Sequence, residues 1–273
     1  MSEAICLHIG QAGARIGTAV WELLAIEQGI DTQSACGVPL KGTDTNLRAH
    51  WHETEKGSYL PRALFFDLEP DALDQIKANS NLFPRDLLIR GKMQAPPPPR
   101  PKLILMFFLK ERRVVEGFMQ EDTGMFALAF NSQNVNVPIC SSIGREYIDI
   151  VLDRFRKLAE QCNYLQKILL FRSLCGGTGS GFGSLLLERL KEEYGKKPRF
   201  EWTVFPDCDE KSTRVGVPAP IGNGVISAYN TVLSLEAMDE HSDICQVLQN
   251  GRIYDICRSK LGIAEPTYRD INR

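Results

Sequence analysis

The glycine-rich stretch at residues 175–181 is the part of this chain whose composition points most directly to chemistry. It reads Cys-Gly-Gly-Thr-Gly-Ser-Gly and lies between an apolar, strand-like run and an amphipathic, helix-like run. Glycines permit a tight turn that directs successive backbone N–H groups at one spot near the positive end of a helix, and Thr178 and Ser180 add hydroxyl donors. A phosphate chain is the ligand that this arrangement favours. A turn needed only for close packing of strand against helix is the alternative.

A second glycine turn and a pair of acids also follow strand-like runs. The turn at residues 10–13 reads Gly-Gln-Ala-Gly, and the acids are Asp67 and Glu69. Gln11 suits a phosphate or the water of its metal, and the two carboxylates suit Mg²⁺, which prefers oxygen ligands and keeps part of its hydration. For Asp67, the alternative is a cap for the helix that Pro70 would begin.

Strands and helices alternate along the chain, and this order predicts how the candidate residues are positioned. Periodicity indicates strands at 4–9, 62–66, 167–171 and 200–205, and helices at 16–24, 143–162 and 182–194. The order predicts an α/β fold with a doubly wound, largely parallel sheet and helices on both faces. Because ligands bind at the carboxyl ends of such strands, both glycine turns and both acids are expected on one rim.

Composition excludes several classes of protein. The 273 residues carry a net charge of -2 and are 43% hydrophobic, which argues against disorder and against a uniformly basic nucleic-acid binder. No apolar run is long enough to span a bilayer and no signal peptide precedes the first strand, so we expect a cytoplasmic protein with eight free cysteines. The cysteine and histidine spacings disfavour structural zinc, and no P-loop signature occurs.

Two stretches interrupt the alternating pattern. Residues 93–142 contain four consecutive prolines and the apolar run Leu-Ile-Leu-Met-Phe-Phe-Leu at 103–109, and residues 207–217 are a shorter polar stretch. Neither shows a clear period, so both are expected to be additions to the sheet.

Several separate motifs, in order along the chain, together resemble tubulin. They lie at residues 10–13, 16–17, 67–70, 176–181, 194–197 and 253–258, and those that favour the alpha chain lie at 143–146, 151–154, 240–243 and 266–268. The resemblance covers 1–92 and 143–273 apart from 207–217. It implies one Rossmann-like tubulin GTP-binding domain over 1–273, interrupted by the two insertions.

The resemblance also implies GTP and Mg²⁺ as ligands. Gln11 and Glu69 would serve phosphate and metal, and Asp67 stays a metal candidate from its place at the strand end. Tyr268 would stack on the base, and Asn250 and Asn272 would bind the guanine edge. The remaining site residues implied by the family are Gly10, Ala12, Ser173, Gly176, Gly177, Thr178 and Gly179. These would surround the phosphate chain.

The implied function is that of a structural constituent of the microtubule cytoskeleton in the cytoplasm. The expected partners are a beta-tubulin-like chain or other tubulin subunits, with no nucleic acid and no membrane.

The chain departs from the family pattern at three places. Cys175 replaces a smaller residue of the family loop, residues 93–142 replace a loop that meets the terminal phosphate, and 222–227 replace a ribose-binding loop. We therefore expect weakened nucleotide affinity. The intermediate and C-terminal domains, with the catalytic glutamate of alpha chains, would lie beyond residue 273, so neither unaided polymerisation nor hydrolysis is expected.

Two other functions stay open at this point. Residues 179–184 approximate a dinucleotide-binding fingerprint, with Glu201 at a suitable distance to bind a ribose, which would make the chain a dinucleotide-binding oxidoreductase. A truncated remnant that binds no nucleotide and acts only through tubulin partners is the other alternative.

Overall fold

The computed structural model describes residues 3–31, 37–39, 47–80, 82–91, 140–206, 224–267 and 270. In chain order the strands are β1 (Glu3–Ile9), β2 (Ile30–Asp31), β3 (Val38–Pro39), β4 (Trp51–Glu53), β5 (Tyr59–Pro61), β6 (Ala63–Asp67), β7 (Leu88–Arg90), β8 (Leu165–Ser173), β9 (Arg199–Phe205) and β10 (Ile244–Gln249). The helices are α1 (Gly10–Glu27), α2 (Pro70–Asn79), α3 (Cys140–Glu160), α4 (Gly183–Glu193), α5 (Gly224–His241) and α6 (Asn250–Leu261).

Six strands form one sheet in the order β10-β9-β8-β1-β6-β7, and every neighbouring pair in it is parallel. β1 lies near the middle between β6 and β8, and all seven of its residues are buried. A central parallel strand needs apolar residues on both faces, which explains its nearly unbroken apolar run. The prediction of a parallel α/β sheet is confirmed.

Helices cover both faces of this sheet. Ile5, Leu7 and Ile9 of β1 pack in a core with α3 and α4, whereas Cys6 packs on the opposite face in a core with α1 and α2. Successive strand residues point to opposite faces, so the two cores lie on opposite sides of the sheet. The doubly wound arrangement is therefore also confirmed.

His8 is enclosed within the second core. Its ring stacks between Phe65 and Phe171, at centroid distances of 4.5 and 4.8 Å, and Trp21 Nε1 donates a 3.1 Å hydrogen bond to its Nε2 atom. Burial lowers the pKa of His8 to about 3. His8 is therefore a neutral core residue.

A buried ion pair lies near the amino-terminal end of the sheet. Arg62 Nη2 is 2.7 Å from Glu3 Oε1, and both side chains are only 4% exposed. The second carboxylate oxygen of Glu3 accepts the backbone N–H of Tyr164. The pair joins β1 to the segment that leads into β6 and to the loop before β8.

The structure corrects several details of the sequence interpretation. Two short antiparallel ribbons lie at 30–61, where no element was predicted; one pairs β2 with β3 and the other pairs β4 with β5. The strands β7 and β10, which were also not predicted, extend the sheet at its two edges. Residues 140–142, assigned to the first insertion, belong to α3. The rest of that insertion, from 93 to 139, and all of 207–217 lie outside the described residues, so the proposed domain boundaries stay predictions. Within the described part of the chain, no helix has the length and hydropathy needed to cross a membrane.

Candidate functional site

The two glycine turns lie against each other at the carboxyl ends of β1 and β8. Gly10 follows β1 directly and has a φ of +73°, a conformation that residues with a Cβ rarely adopt. A Cβ placed on Gly10 would lie 3.2 Å from the Gly179 nitrogen and 3.6 Å from Thr178 Cβ. The structure thus brings the turns together on one rim, as the strand order requires.

Residues 175–181 are more helical than the glycine content indicated. After β8 ends at Ser173, a short bend leads into a π-helical turn at Thr178–Phe182, which continues into α4. The glycine turn expected over 175–181 is therefore confined to its first residues. The first N–H groups of a helical segment have no partner within the helix and carry a partial positive charge, so this turn offers an anion-binding end to the rim.

Close packing explains some of the glycines but not all of them. A Cβ on Gly179 would lie 2.5 Å from the Ser173 carbonyl oxygen, and one on Gly13 would lie 2.4 Å from the Phe171 carbonyl oxygen. By contrast, a Cβ on Gly176 would meet no described atom within 4 Å. Among the described residues nothing fills the space beside Gly176, so packing within that part of the chain does not explain this glycine, whereas a bound ligand would.

Ser173 and Cys175 form an internal contact within this segment. The Ser173 hydroxyl oxygen lies 3.1 Å from Cys175 Sγ, accepts the Cys175 N–H at 3.4 Å, and lies 3.4 Å from the Val204 carbonyl oxygen. Asn230 of α5 donates from Nδ2 to the Cys175 carbonyl at 3.1 Å. The Cys175 side chain therefore lies against Ser173, and the segment is held from β9 and α5.

The acidic side of the rim is formed by Asp67 at the end of β6. Its side chain is buried, Oδ1 accepts the Glu69 N–H at 3.3 Å, and Oδ2 has no hydrogen-bond partner of good geometry among the described residues. Burial raises the pKa of Asp67 to about 6, and the Glu69 N–H and the hydroxyl of Thr178 partly offset this effect. The hydroxyl of Thr178 thus lies on the acidic side of the glycine turn, close to Asp67.

Asp67 fulfils only part of the helix-capping role that the sequence left open for it. Glu69 is the residue that immediately precedes α2, Pro70 is its first residue, and no side chain makes a capping hydrogen bond there. Asp67 binds the N–H of Glu69 itself, so it closes the turn before the helix and leaves one carboxylate oxygen for another partner.

The other predicted residues are distributed along the same rim. Gln11 is exposed and Ala12 is half-buried in the first turn of α1. Asn250 is half-buried at the start of α6, directly after β10, three strands from β1 in the sheet. Tyr268 and Asn272 lie outside the described residues, so their roles stay predictions.

A magnesium ion at this rim would depend on few protein ligands. No group of three or more His, Cys, Asp or Glu side chains suited to a metal is found among the residues that the structure describes. Mg²⁺ bound with phosphates usually takes one or two carboxylates and several waters. The buried Oδ2 of Asp67 and the half-buried Glu69 fit that requirement.

Two charged residues at the site were not recognised as a pair from the sequence. Arg172 and Glu201 form a fully buried ion pair beneath the glycine turn, with a separation of 2.5 Å between Nε and Oε1. The sequence feature that could have indicated this buried pair is the single arginine near the end of the apolar run of β8. The Ser242 hydroxyl donates to the other Glu201 oxygen, so Glu201 has internal partners and this counts against its role as a ribose ligand.

Comparison with known proteins agrees with the geometry. The model of the Tubulin/FtsZ family, GTPase domain, matches residues 3–95 and 131–258, and the unmatched stretch between them lies inside the predicted first insertion. The tubulin alpha-2B and alpha-1B chains of Physarum polycephalum are each 36% identical to this chain over 277 aligned positions, covering 100% of this chain and 51% of the relative. The chain spans about half the length of these curated relatives. The resemblance inferred from the motifs is confirmed, and the chain belongs to the Tubulin/FtsZ family, with similarity to alpha-tubulins.

Proposed function

We propose that this chain binds GTP with Mg²⁺ and serves as the nucleotide-binding unit of a tubulin-like cytoskeletal protein. The observation that carries the proposal is the contact of the Gly10 turn with Thr178 and Gly179. Three strand ends meet there, and they supply helix-terminal N–H groups, hydroxyls and a buried carboxylate to one rim. Family membership supports the same ligand.

The phosphate chain would lie over residues 176–179 and 10–12. The N–H groups of both helix starts would donate to its oxygens, and the exposed Gln11 amide would reach it from the side. Asp67 and Glu69 would hold Mg²⁺, in part through water, and the ion would neutralise phosphate charge. Each of these groups binds or orients, and we assign none of them a catalytic role.

The base would lie toward β10. From β6 to β10 there are four strand spacings, or about 19 Å, so the rim accommodates an extended nucleotide with its phosphates over β8 and β1. Asn250 would pair with the guanine edge, because an amide offers both a donor and an acceptor. Asn272 would do the same and Tyr268 would stack on the ring.

The cellular setting is also part of this proposal. We infer a cytoplasmic, cytoskeletal protein whose partners are a beta-tubulin-like chain or other tubulin subunits, with neither nucleic acid nor membrane as a partner. Because the chain is similar to alpha chains over about half of their length, co-sedimentation with microtubules is the assay that tests these partners directly. The expected outcome is binding that depends on tubulin polymer and on GTP.

Ligand-induced thermal stabilisation tests the nucleotide. Millimolar GTP with Mg²⁺ should raise the unfolding temperature of the purified chain more than ATP or NAD does, and EDTA should reduce the gain. Asn250→Ala should reduce the preference for GTP over ATP, whereas the control Asn163→Ala, on an exposed turn before β8, should not. A larger effect of NAD would favour the oxidoreductase alternative, and no effect of any nucleotide would favour the non-binding remnant.

A further inference from the structure

Arg172 lies directly beneath the helical turn of the candidate phosphate site. Its side chain is fully buried in β8, and one nitrogen, Nη1, donates to the carbonyl oxygens of Gly179 and Ser180, both at 3.2 Å, and to the Ser184 hydroxyl at 2.9 Å. Its Nε donates to Glu201 Oε1 at 2.5 Å. One guanidinium therefore contacts the glycine turn, the start of α4 and the neighbouring strand.

Glu201 is in turn fixed by a third element. Its Oε2 accepts a 2.5 Å hydrogen bond from Ser242, in the connection between α5 and β10. The guanidinium is held at one end by this carboxylate and binds the turn at the other. The network thus anchors the turn to β9 and to the α5–β10 connection.

The chain makes room for this arginine with a glycine in α4. A Cβ on Gly183 would lie 2.7 Å from Arg172 Cδ and 3.3 Å from Nη1. A residue with a Cβ at 183 would force the Arg172 side chain to shift at Cδ, next to the guanidinium. Arg172 and Gly183 are therefore a matched pair of residues.

We propose that Arg172 is a positioning residue that holds the Thr178–Phe182 turn so that its leading N–H groups face the phosphates of a bound nucleotide. The Gly179 carbonyl shares a trans peptide with the Ser180 N–H, which donates to the Gly176 carbonyl oxygen at 3.0 Å, so holding that carbonyl also holds the start of the turn, where the leading N–H groups lie. A forked guanidinium binds several acceptors in fixed directions, which an ammonium group does not. This inference rests on the proposed nucleotide function for its ligand.

A purely structural role predicts something different. A buried ion pair adds little net stability, whereas loss of one partner strongly destabilises the fold. If Arg172 served only the fold, its replacement would resemble replacement of another buried arginine. Arg62, paired with Glu3 at the far end of the sheet, supplies that matched control.

The first measurement is hydrogen exchange in the nucleotide-free chain. Relative to Arg62→Met, Arg172→Met should speed exchange of the amides in 176–182 by about tenfold or more, which corresponds to loss of one hydrogen bond to a charged group. Gly183→Ala, which displaces the guanidinium without removing it, should act in the same direction. Equal exchange in all three variants would overturn the proposal, whether or not the chain binds GTP.

The second measurement separates phosphate contacts from base contacts. Arg172→Met should weaken GTP binding by about tenfold or more and leave guanosine binding unchanged, and Arg172→Lys should recover part of the loss because it keeps the charge. Equal weakening of GTP and guanosine would contradict the proposal. If the unaltered chain binds no GTP, the proposed function fails, while the exchange result still decides whether Arg172 holds the turn.

Discussion

Replacing Gly10 with alanine tests whether the two glycine turns meet as described. The change adds one methyl group at a residue with a φ of +73°, and that group would lie 3.2 Å from the Gly179 nitrogen. Gly57, between β4 and β5, has a φ of +74° and no described atom within 4 Å of an added Cβ. Gly57→Ala therefore carries the same backbone strain without the contact.

The expected loss of stability follows from these two contributions. A residue with a Cβ in the left-handed region costs about 1 kcal/mol, and the close contact with the backbone of the second turn costs about 1 kcal/mol more. We therefore expect a loss of about 1 kcal/mol for Gly57→Ala and about 2 kcal/mol for Gly10→Ala. At about 3 °C per kcal/mol, circular dichroism should show the unfolding temperature lowered by about 3 °C and about 6 °C.

Nucleotide binding should separate the two variants further. At a GTP concentration of about 100 times Kd, the ligand stabilises the unaltered chain by about 2.7 kcal/mol, and a tenfold loss of affinity lowers this to about 1.4 kcal/mol. Gly10→Ala should show the reduced gain and Gly57→Ala the full gain. The reasoning is refuted if both variants lose equal stability and both keep the full response to GTP with Mg²⁺.

Three other perturbations have defined outcomes. The pKa of His8 is about 3 in the fold and 6.5 when unperturbed, so the unfolded chain takes up this proton first and the His8 contribution should lower stability by about 2 kcal/mol from pH 7 to pH 5, whereas Asp67, with its pKa raised to about 6, is protonated first in the fold and offsets part of that loss; urea titrations of the unaltered chain and His8→Gln at both pH values check this, since the unaltered chain should lose about 2 kcal/mol more than the variant. Glu3→Gln should lower the free energy of unfolding by about 3 kcal/mol, because it leaves Arg62 buried without its counter-charge. Glu3→Leu combined with Arg62→Met should cost less, and the coupling of the two side chains is contradicted if, in chemical denaturation, this double variant loses as much as Glu3→Leu and Arg62→Met together. Gly179→Ala should lower stability by about 1–3 kcal/mol, because its Cβ would lie 2.5 Å from a carbonyl oxygen of β8. Gly176→Ala should leave the unfolding temperature nearly unchanged and weaken GTP binding, and a loss of stability in this variant would show that the space beside Gly176 is filled.

Local patterns were sufficient to predict four of the six strands of the sheet and the rim. The apolar runs that became β1, β6, β8 and β9 each precede a turn or helix, and parallel strands place all such turns at one edge. Asp67 and the glycine turns were therefore predicted to lie together before any contact was known. β7 was missed because three residues carry no period, and β10 was missed because its sequence Ile-Cys-Gln-Val-Leu-Gln is mixed, lies on a largely exposed edge strand and forms no apolar run.

The sequence by itself thus determined the family, four of the six strands of the main sheet and the rim on which glycines and acids meet, since these depend on periodicity and on residue types near each other in the chain. Only the tertiary structure decided which glycines serve packing and which border open space, because that depends on atoms distant in sequence, as for Gly13 against Phe171. It also decided the pairing of Arg172 with Glu201, which are 29 residues apart and are joined only by the register of β8 and β9. A lone buried charge has no sequence period, so its partner is visible only when the strands are paired.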